Sequence, residues 1–302
     1  MITPSKLKKD DQIAIVAAGK KISSAEIQTA VNLYESWGLK VVIGKTIDAE
    51  DFYLAGNDEL RRSDVQRFIN DSSIKAIIFA RGGYGAVRII DQLDFTPLLT
   101  APKWLVGFSD VTVFHNHVNT NLNLPTIHGM MPVFFPSATE NAISSNYKVL
   151  FENEMNYSFN MKDNSVSKNG ITQAEIVGGN LSILYSLCGS DSQLNPAGKI
   201  LFIEDLFEPL YHIDRMLHNL KRNNFFKDLK GIIIGRFTDI EKGNPAFQKN
   251  IESVFNLHFS KLEIPIAYDF PSGHINNNHS LIFGQKADFE VRNTLVSIKS
   301  IN

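Results

Sequence analysis

Apolar residues in the first 130 positions fall into short β-branched runs that alternate with stretches of helical period. The runs at 12–17, 40–44, 74–80 and 104–108 predict strands. The stretches at 24–37, 58–70 and 110–120 predict helices, and 85–91 reads as a short further helix. Gly38 follows the first helical stretch as a left-handed cap. Strands separated by helices point to a parallel, doubly wound sheet.

From about 136 to 169 the pattern lapses into polar, Asn- and Ser-rich sequence, and the chain is expected to cross between domains there. The division expected is an N-terminal α/β domain over 1–145, a crossing segment over 146–172, and a smaller mixed α/β domain over 173–302. The last part reads as an apolar helix ending at Leu187, a strand at 199–203, a helix at 213–223 and a strand at 231–236. A helix at 246–259 and strands at 264–270, 280–283 and 288–298 follow. Ile213, Met216, Leu217 and Leu220 have ordinary core spacing, and neither an internal repeat nor a heptad seam is visible.

Composition narrows the function classes. A chain of 302 residues, 43% hydrophobic and 21% charged, can bury a large core. Its formal net charge of -2 gives no electrostatic reason to expect nucleic acid or an anionic membrane surface as a partner. The single cysteine, Cys188, excludes an intrachain disulfide and a cysteine-based zinc cluster, as suits a reducing compartment. The first ten residues carry positive charge with no apolar stretch behind them, and no run approaches 18 apolar residues. The expectation is a cytoplasmic protein with neither signal peptide nor membrane span.

Chemistry concentrates where strands end. Gly107-Phe108-Ser109-Asp110 closes the run at 104–108, at the corner where a strand turns into a helix. Such a corner lifts a serine hydroxyl clear of the sheet and aims the first helical N–H groups at the same spot. The competing reading makes Ser109 an N-cap. Arg81-Gly82-Gly83-Tyr84-Gly85 emerges from a neighbouring strand on the same side and reads as a tight turn or a ligand loop. It fits neither phosphate-binding glycine signature, so no nucleotide cofactor is expected.

A serine hydrolase also needs an imidazole and a carboxylate to orient it. Glu204 follows the apolar run at 200–203, and His274 lies in the turn Pro271-Ser272-Gly273-His274-Ile275-Asn276. Glu208 is the rival acid; Glu204 is preferred because it directly ends its strand. No metal is expected, since His-Glu-x-x-His is absent and His115 and His117 point to different helix faces. An α/β-hydrolase esterase would show Gly-x-Ser-x-Gly, but position 111 is Val111. A non-catalytic sugar- or peptide-binding protein of two α/β lobes remains a further class.

Along the chain stand Ala80-Arg81-Gly82-Gly83-Tyr84-Gly85, Gly107-Phe108-Ser109-Asp110, His128-Gly129 and Gly178-Gly179-Asn180-Leu181. Ile203-Glu204-Asp205, Tyr211-His212-Ile213-Asp214-Arg215-Met216-Leu217 and Gly235-Arg236-Phe237 follow. In these motifs and their order the chain resembles, over nearly its whole length, the LD-carboxypeptidase family of serine peptidases. The resemblance implies a Ser109, Glu204, His274 triad, with the backbone N–H groups of Gly83 and Asp110 as oxyanion donors. It also implies a cytoplasmic homodimer that releases a terminal D-residue, commonly D-alanine, from murein tetrapeptides, without a cofactor. The family's other branch inactivates the peptide-nucleotide antibiotic microcin C. A substrate carboxylate would need a cation, and Arg81, Arg215 and Arg236 stay open for that role. Ala17-Ala18-Gly19-Lys20 departs from the family's Ala-Pro-Ser-Gly after the first strand.

Overall fold

The computed structural model describes residues 2–301. The first half alternates β1 (Gln12–Val16), α1 (Ser24–Ser36), β2 (Lys40–Ile43), α2 (Asp58–Asn70) and β3 (Ile74–Phe79). It continues with α3 (Pro97–Thr100), β4 (Trp104–Gly107), α4 (Thr112–Leu122), β5 (Thr126–His128) and α5 (Glu140–Phe151). Caps set the helix starts: Ser23 forms a reciprocal capping box with Glu26, and Asn57 accepts the Leu60 N–H.

The five strands of this half are parallel in the order β2-β1-β3-β4-β5. Alternate side chains feed two layers: Ile13, Ile15, Ile78 and Val106 face one, Ala14, Val16, Ile77 and Leu105 the other. The chain reverses direction across the sheet between β1 and β3, where open α/β sheets leave a crevice beyond the strands' carboxyl ends.

The second half contains β6 (Asn156–Asn160), β7 (Gly170–Asn180), α6 (Leu181–Ser186), β8 (Ile200–Leu206), α7 (Leu210–Arg222), β9 (Gly231–Thr238) and α8 (Ile251–Phe259). It closes with β10 (Ile266–Ala267), β11 (Leu281–Phe283), β12 (Lys286–Arg292) and β13 (Leu295–Ser300). A seven-stranded sheet runs β10-β9-β8-β7-β12-β13-β6, parallel over its first four strands and antiparallel over the rest. β11 leaves this sheet and pairs antiparallel with β5, completing the first sheet as its sixth strand. The mixed two-sheet α/β architecture anticipated from the alternating pattern is present.

Several elements differ from the sequence reading. The segment 85–91 forms two 3₁₀ turns, Ala86–Arg88 and Ile90–Gln92, because Gly85 and the loop before it hold the backbone away from helix. The expected helix at 246–259 starts at Ile251, where Asn250 accepts the Ser253 N–H as N-cap. The strand expected at 264–270 pairs only through Ile266–Ala267. The strand expected at 288–298 is a hairpin that turns at Asn293, which adopts a φ of 56°. The polar stretch contains α5 and β6. In α5 the buried Ala142, Val149 and Leu150 are diluted by Asn and Ser, which hides the period.

Candidate active site

Ser109 stands where β4 ends. Phe108 is still extended, and Ser109 turns to the left-handed φ of 64° before a 3₁₀ turn leads into α4. That conformation costs an L-residue about 1–2 kcal/mol. The cap positions of the 3₁₀ turn and of α4 are held by Phe108 and Val111, so the N-cap reading of Ser109 is set aside. Gly107 permits the tight corner, because a Cβ there would lie 2.8 Å from a Val111 methyl. Its carbonyl accepts from His115 Nε2 at 2.9 Å; burial pulls the His115 imidazole down to about 4 and keeps it neutral.

The glycine loop closes on this corner. A Cβ on Gly82 would lie 2.7 Å from Ser109 Cβ and 2.8 Å from its Oγ, so the backbone at 82 is in contact with the serine side chain. Gly83, at φ 117°, is exposed beside Lys20 and Tyr53. Asp110 ties the loop to the corner: its buried Oδ2 accepts the Ala86 N–H at 2.9 Å. Burial pushes Asp110 up to about 6, opposed by that N–H and by the charge of Arg61. Arg61, wholly buried on α2, donates to the carbonyls of Ala18 and Gly85 and pairs with Asp58. Gly19 belongs to the same knot, since a Cβ there would meet Asp110 Oδ2 at 2.9 Å and Tyr84 O at 3.0 Å. The Ala17–Lys20 loop thus contributes close backbone packing.

The carboxylate and imidazole come from the second half. β8 runs two residues beyond Glu204, with its register shifted between Ile203 and Asp205. Glu204 therefore sits within the strand, at the irregularity, and does not end it. Its Oε2 lies 2.7 Å from His274 Nδ1, and the Glu204 side chain is fully buried. Only a glycine fits at 273, where φ is 120° and a Cβ would be 2.9 Å from that same oxygen. Asn278 Oδ1 holds the turn by accepting the Gly273 N–H at 2.9 Å. Desolvation pulls the His274 imidazole down, but the charge and hydrogen bond of Glu204, with the charge of Asp205, outweigh it and raise it above its ordinary value.

The two halves touch here. The His274 ring packs edge-on against Phe108, the residue before Ser109, with centroids 4.8 Å apart. Thr112 Oγ1, in the first turn of α4, accepts the Asn180 N–H at 3.0 Å, and a Cβ on Gly179 would lie 2.5 Å from that oxygen. Asn180 Nδ2 donates to buried Asp205 at 2.9 Å; burial, then the charge of Glu204, lifts Asp205 to about 7. Glu208 is hydrogen bonded to His212. Arg81 pairs with Glu26 at 3.6 Å and donates to Lys21 O, Arg236 pairs with Asp269 at 2.8 Å, and Arg215 lies over the Tyr211 ring.

Sequence reasoning missed Arg61, Thr112 and Asn278, and missed the side-chain role of Asp110. A buried arginine in a helix and a threonine in a helix's first turn have no one-dimensional signature. The Gly178-Gly179-Asn180 run was the one available signal for the seam with Thr112.

Residues 13–129 match the profile described as the LD-carboxypeptidase N-terminal domain, and residues 173–289 match that of the LD-carboxypeptidase C-terminal domain. The chain belongs to the LD-carboxypeptidase family. By class it is a serine-type carboxypeptidase. It is similar to the probable murein peptide carboxypeptidase of Bacillus subtilis, 32% identical over 94% of this chain and 90% of the relative. The fold of muramoyltetrapeptide carboxypeptidase from Oxalobacter formigenes matches with a TM-score of 0.87 at 24% identity, over 96% of this chain and 99% of that one. The microcin C7 self-immunity protein MccF in complex with aspartyl sulfamoyl adenosine matches with a TM-score of 0.89 at 21% identity, over 100% and 99%. Among the described residues no helix is long and apolar enough to cross a membrane.

Proposed function

We propose that this chain cleaves the bond between an L-centre and a terminal D-residue in murein tetrapeptides, with Ser109 as nucleophile, His274 as base and Glu204 as its orienting carboxylate. The observation that carries this reading is the His274–Glu204 hydrogen bond of 2.7 Å, formed by an imidazole that packs on the residue before Ser109. With Nδ1 engaged by Glu204, His274 keeps Nε2 for the serine proton. The Ser109 oxygen attacks the scissile carbonyl as His274 takes its proton. The tetrahedral oxyanion collapses, the C–N bond breaks, and His274 gives the proton to the departing amine. Water then repeats the cycle on the ester, releasing the shortened peptide and free Ser109.

The N–H groups of Gly83 and Asp110 are the proposed oxyanion donors. Support comes from the contact of Gly82 with Ser109 and from the Asp110–Ala86 bond that fixes the loop. Each such donor contributes about 10²- to 10³-fold in rate. The working protein is taken to be a cytoplasmic homodimer, as in the family the sequence resembles.

The murein reading is preferred to the aminoacyl-nucleotide one because the B. subtilis relative reaches 32% identity, against 24% for the microcin C7 self-immunity protein MccF of Escherichia coli, whereas the TM-scores of 0.87 and 0.89 do not discriminate. Purified protein incubated with a murein tetrapeptide and, separately, with an aminoacyl-nucleotide should release D-alanine from the first and leave the second intact. Ser109→Ala should lower that turnover by about 10⁴-fold or more while the far-ultraviolet circular dichroism is unchanged. Parent-like turnover by folded Ser109→Ala removes Ser109 from the mechanism, and cleavage of the nucleotide alone reverses the substrate assignment.

A further inference from the structure

We propose that Asp214, His218 and His258 form a binding site for a divalent transition-metal ion of the zinc class, joining α7 to α8 on the outer side of the second sheet. Asp214 and His218 stand four residues apart on α7 and so share a face, and His258 reaches them from α8. His258 Nε2 is 2.8 Å from Asp214 Oδ1, and His218 Nε2 is 3.7 Å from Asp214 Oδ2. One ligand atom from each residue lies within 4.8 Å of the other two, and the imidazole rings are 4.6 Å apart in an edge-to-face arrangement.

A tetrahedral ion with bonds of about 2.0–2.1 Å sets its ligand atoms about 3.3 Å apart. The His258–Asp214 pair is already inside that spacing. His218, the most exposed of the three, has the freedom to swing the remaining distance. Two imidazoles and one carboxylate suit zinc, nickel or copper, whereas calcium and magnesium require more oxygens than this group offers. The side open to solvent beside His218 leaves a fourth position for water.

Two features set the expected strength. His258 is almost wholly buried and Asp214 mostly so, which fixes two of the three ligands in advance. Against this, Lys221, Lys227 and Lys261 line an adjoining cavity of about 400 Å³ beside His258 and repel a cation. Binding is therefore expected in the micromolar range, weaker than at closed four-ligand structural zinc sites.

The test uses the full-length protein stripped with a chelator and titrated without peptide substrate, with Zn²⁺ by calorimetry and with Co²⁺ by visible absorption. The expected result is one ion per chain with a Kd tighter than about 50 μM and the absorption bands of tetrahedral cobalt. His218→Ala, at an exposed position that does not threaten folding, and Asp214→Asn should each weaken binding at least tenfold. No binding tighter than that limit, or binding that both variants leave undiminished, overturns the proposal and leaves the three residues as a hydrogen-bonded tie between helices. Because the readout is metal bound without substrate, it is independent of the serine-peptidase mechanism.

Discussion

Ser109 holds its hydroxyl at the corner by accepting a left-handed φ of 64°, and the strain is local. Glycine relieves it and alanine does not, because both serine and alanine carry a Cβ. Ser109→Gly should therefore raise stability by up to about 1 kcal/mol while abolishing turnover, and Ser109→Ala should leave stability nearly unchanged. Urea midpoints of the two variants against the parent measure the difference; equal midpoints would show that the corner is unstrained.

Asp110 poses a different balance, because its raised titration means that between about 3.8 and about 6 the folded chain binds more protons than the unfolded one. Its contribution to stability then falls as pH rises through that window, by up to about 3 kcal/mol for a shift of this size. Asp110→Asn keeps an oxygen for the Ala86 N–H and removes the charge. The stability of Asp110→Asn relative to the parent should accordingly improve between pH 4 and pH 7. A difference that is the same at both ends would remove Asp110 from this role.

At the scale of elements, the site is a meeting of strands and turns whose backbone is held by buried polar side chains. The turn after β10 depends on Asn278, whose Oδ1 takes the Gly273 N–H and lies 3.0 Å from Ser272 Oγ. Asn278→Ala leaves that buried N–H unpaired at a cost of about 1–3 kcal/mol. It should also loosen His274, lowering kcat about 10- to 100-fold with KM little changed, since misplacing a base by about 1 Å costs on that order. Steady-state kinetics on the murein tetrapeptide, beside a urea titration, checks both effects. A stability loss with kcat untouched would show that the turn is scaffold alone.

At the scale of the whole molecule, two features join what the family profiles divide. One hydrophobic cluster runs from Ile13, Ile15 and Val106 of the first sheet to Ile176, Phe202 and Ile233 of the second. β11 crosses over to pair with β5, and the Tyr157 hydroxyl on β6 donates to Ser280 O beside it. The chain should therefore unfold in a single transition, with near- and far-ultraviolet circular dichroism coincident. A fragment of residues 1–145 lacks β11, exposes the β5 edge and bares the first sheet's side of the shared core. It should aggregate or stay unfolded on size-exclusion chromatography. A folded monomeric fragment, or two separate transitions in the full chain, contradicts this coupling.

The alternation of apolar runs and helical periods was enough to indicate a parallel sheet, because backbone period is a local property carried by neighbouring residues. Strand ends and turns marked Ser109, Glu204, His274 and the glycine loop as candidates, and the resemblance to the LD-carboxypeptidase family grouped the first three, although Glu204 lies within its strand and does not end it. Tertiary structure alone decided that His274 bonds to Glu204 while Glu208 bonds to His212, since that choice depends on where the turn after β10 lies against β8. It likewise decided that β11 belongs to the first sheet, and that Asp110, Arg61 and Gly19 form one knot beneath the glycine loop. Apart from the Glu208–His212 pair within one helical turn, those contacts join positions far apart along the chain, and their energies come from burial and pairing that no window along the chain contains.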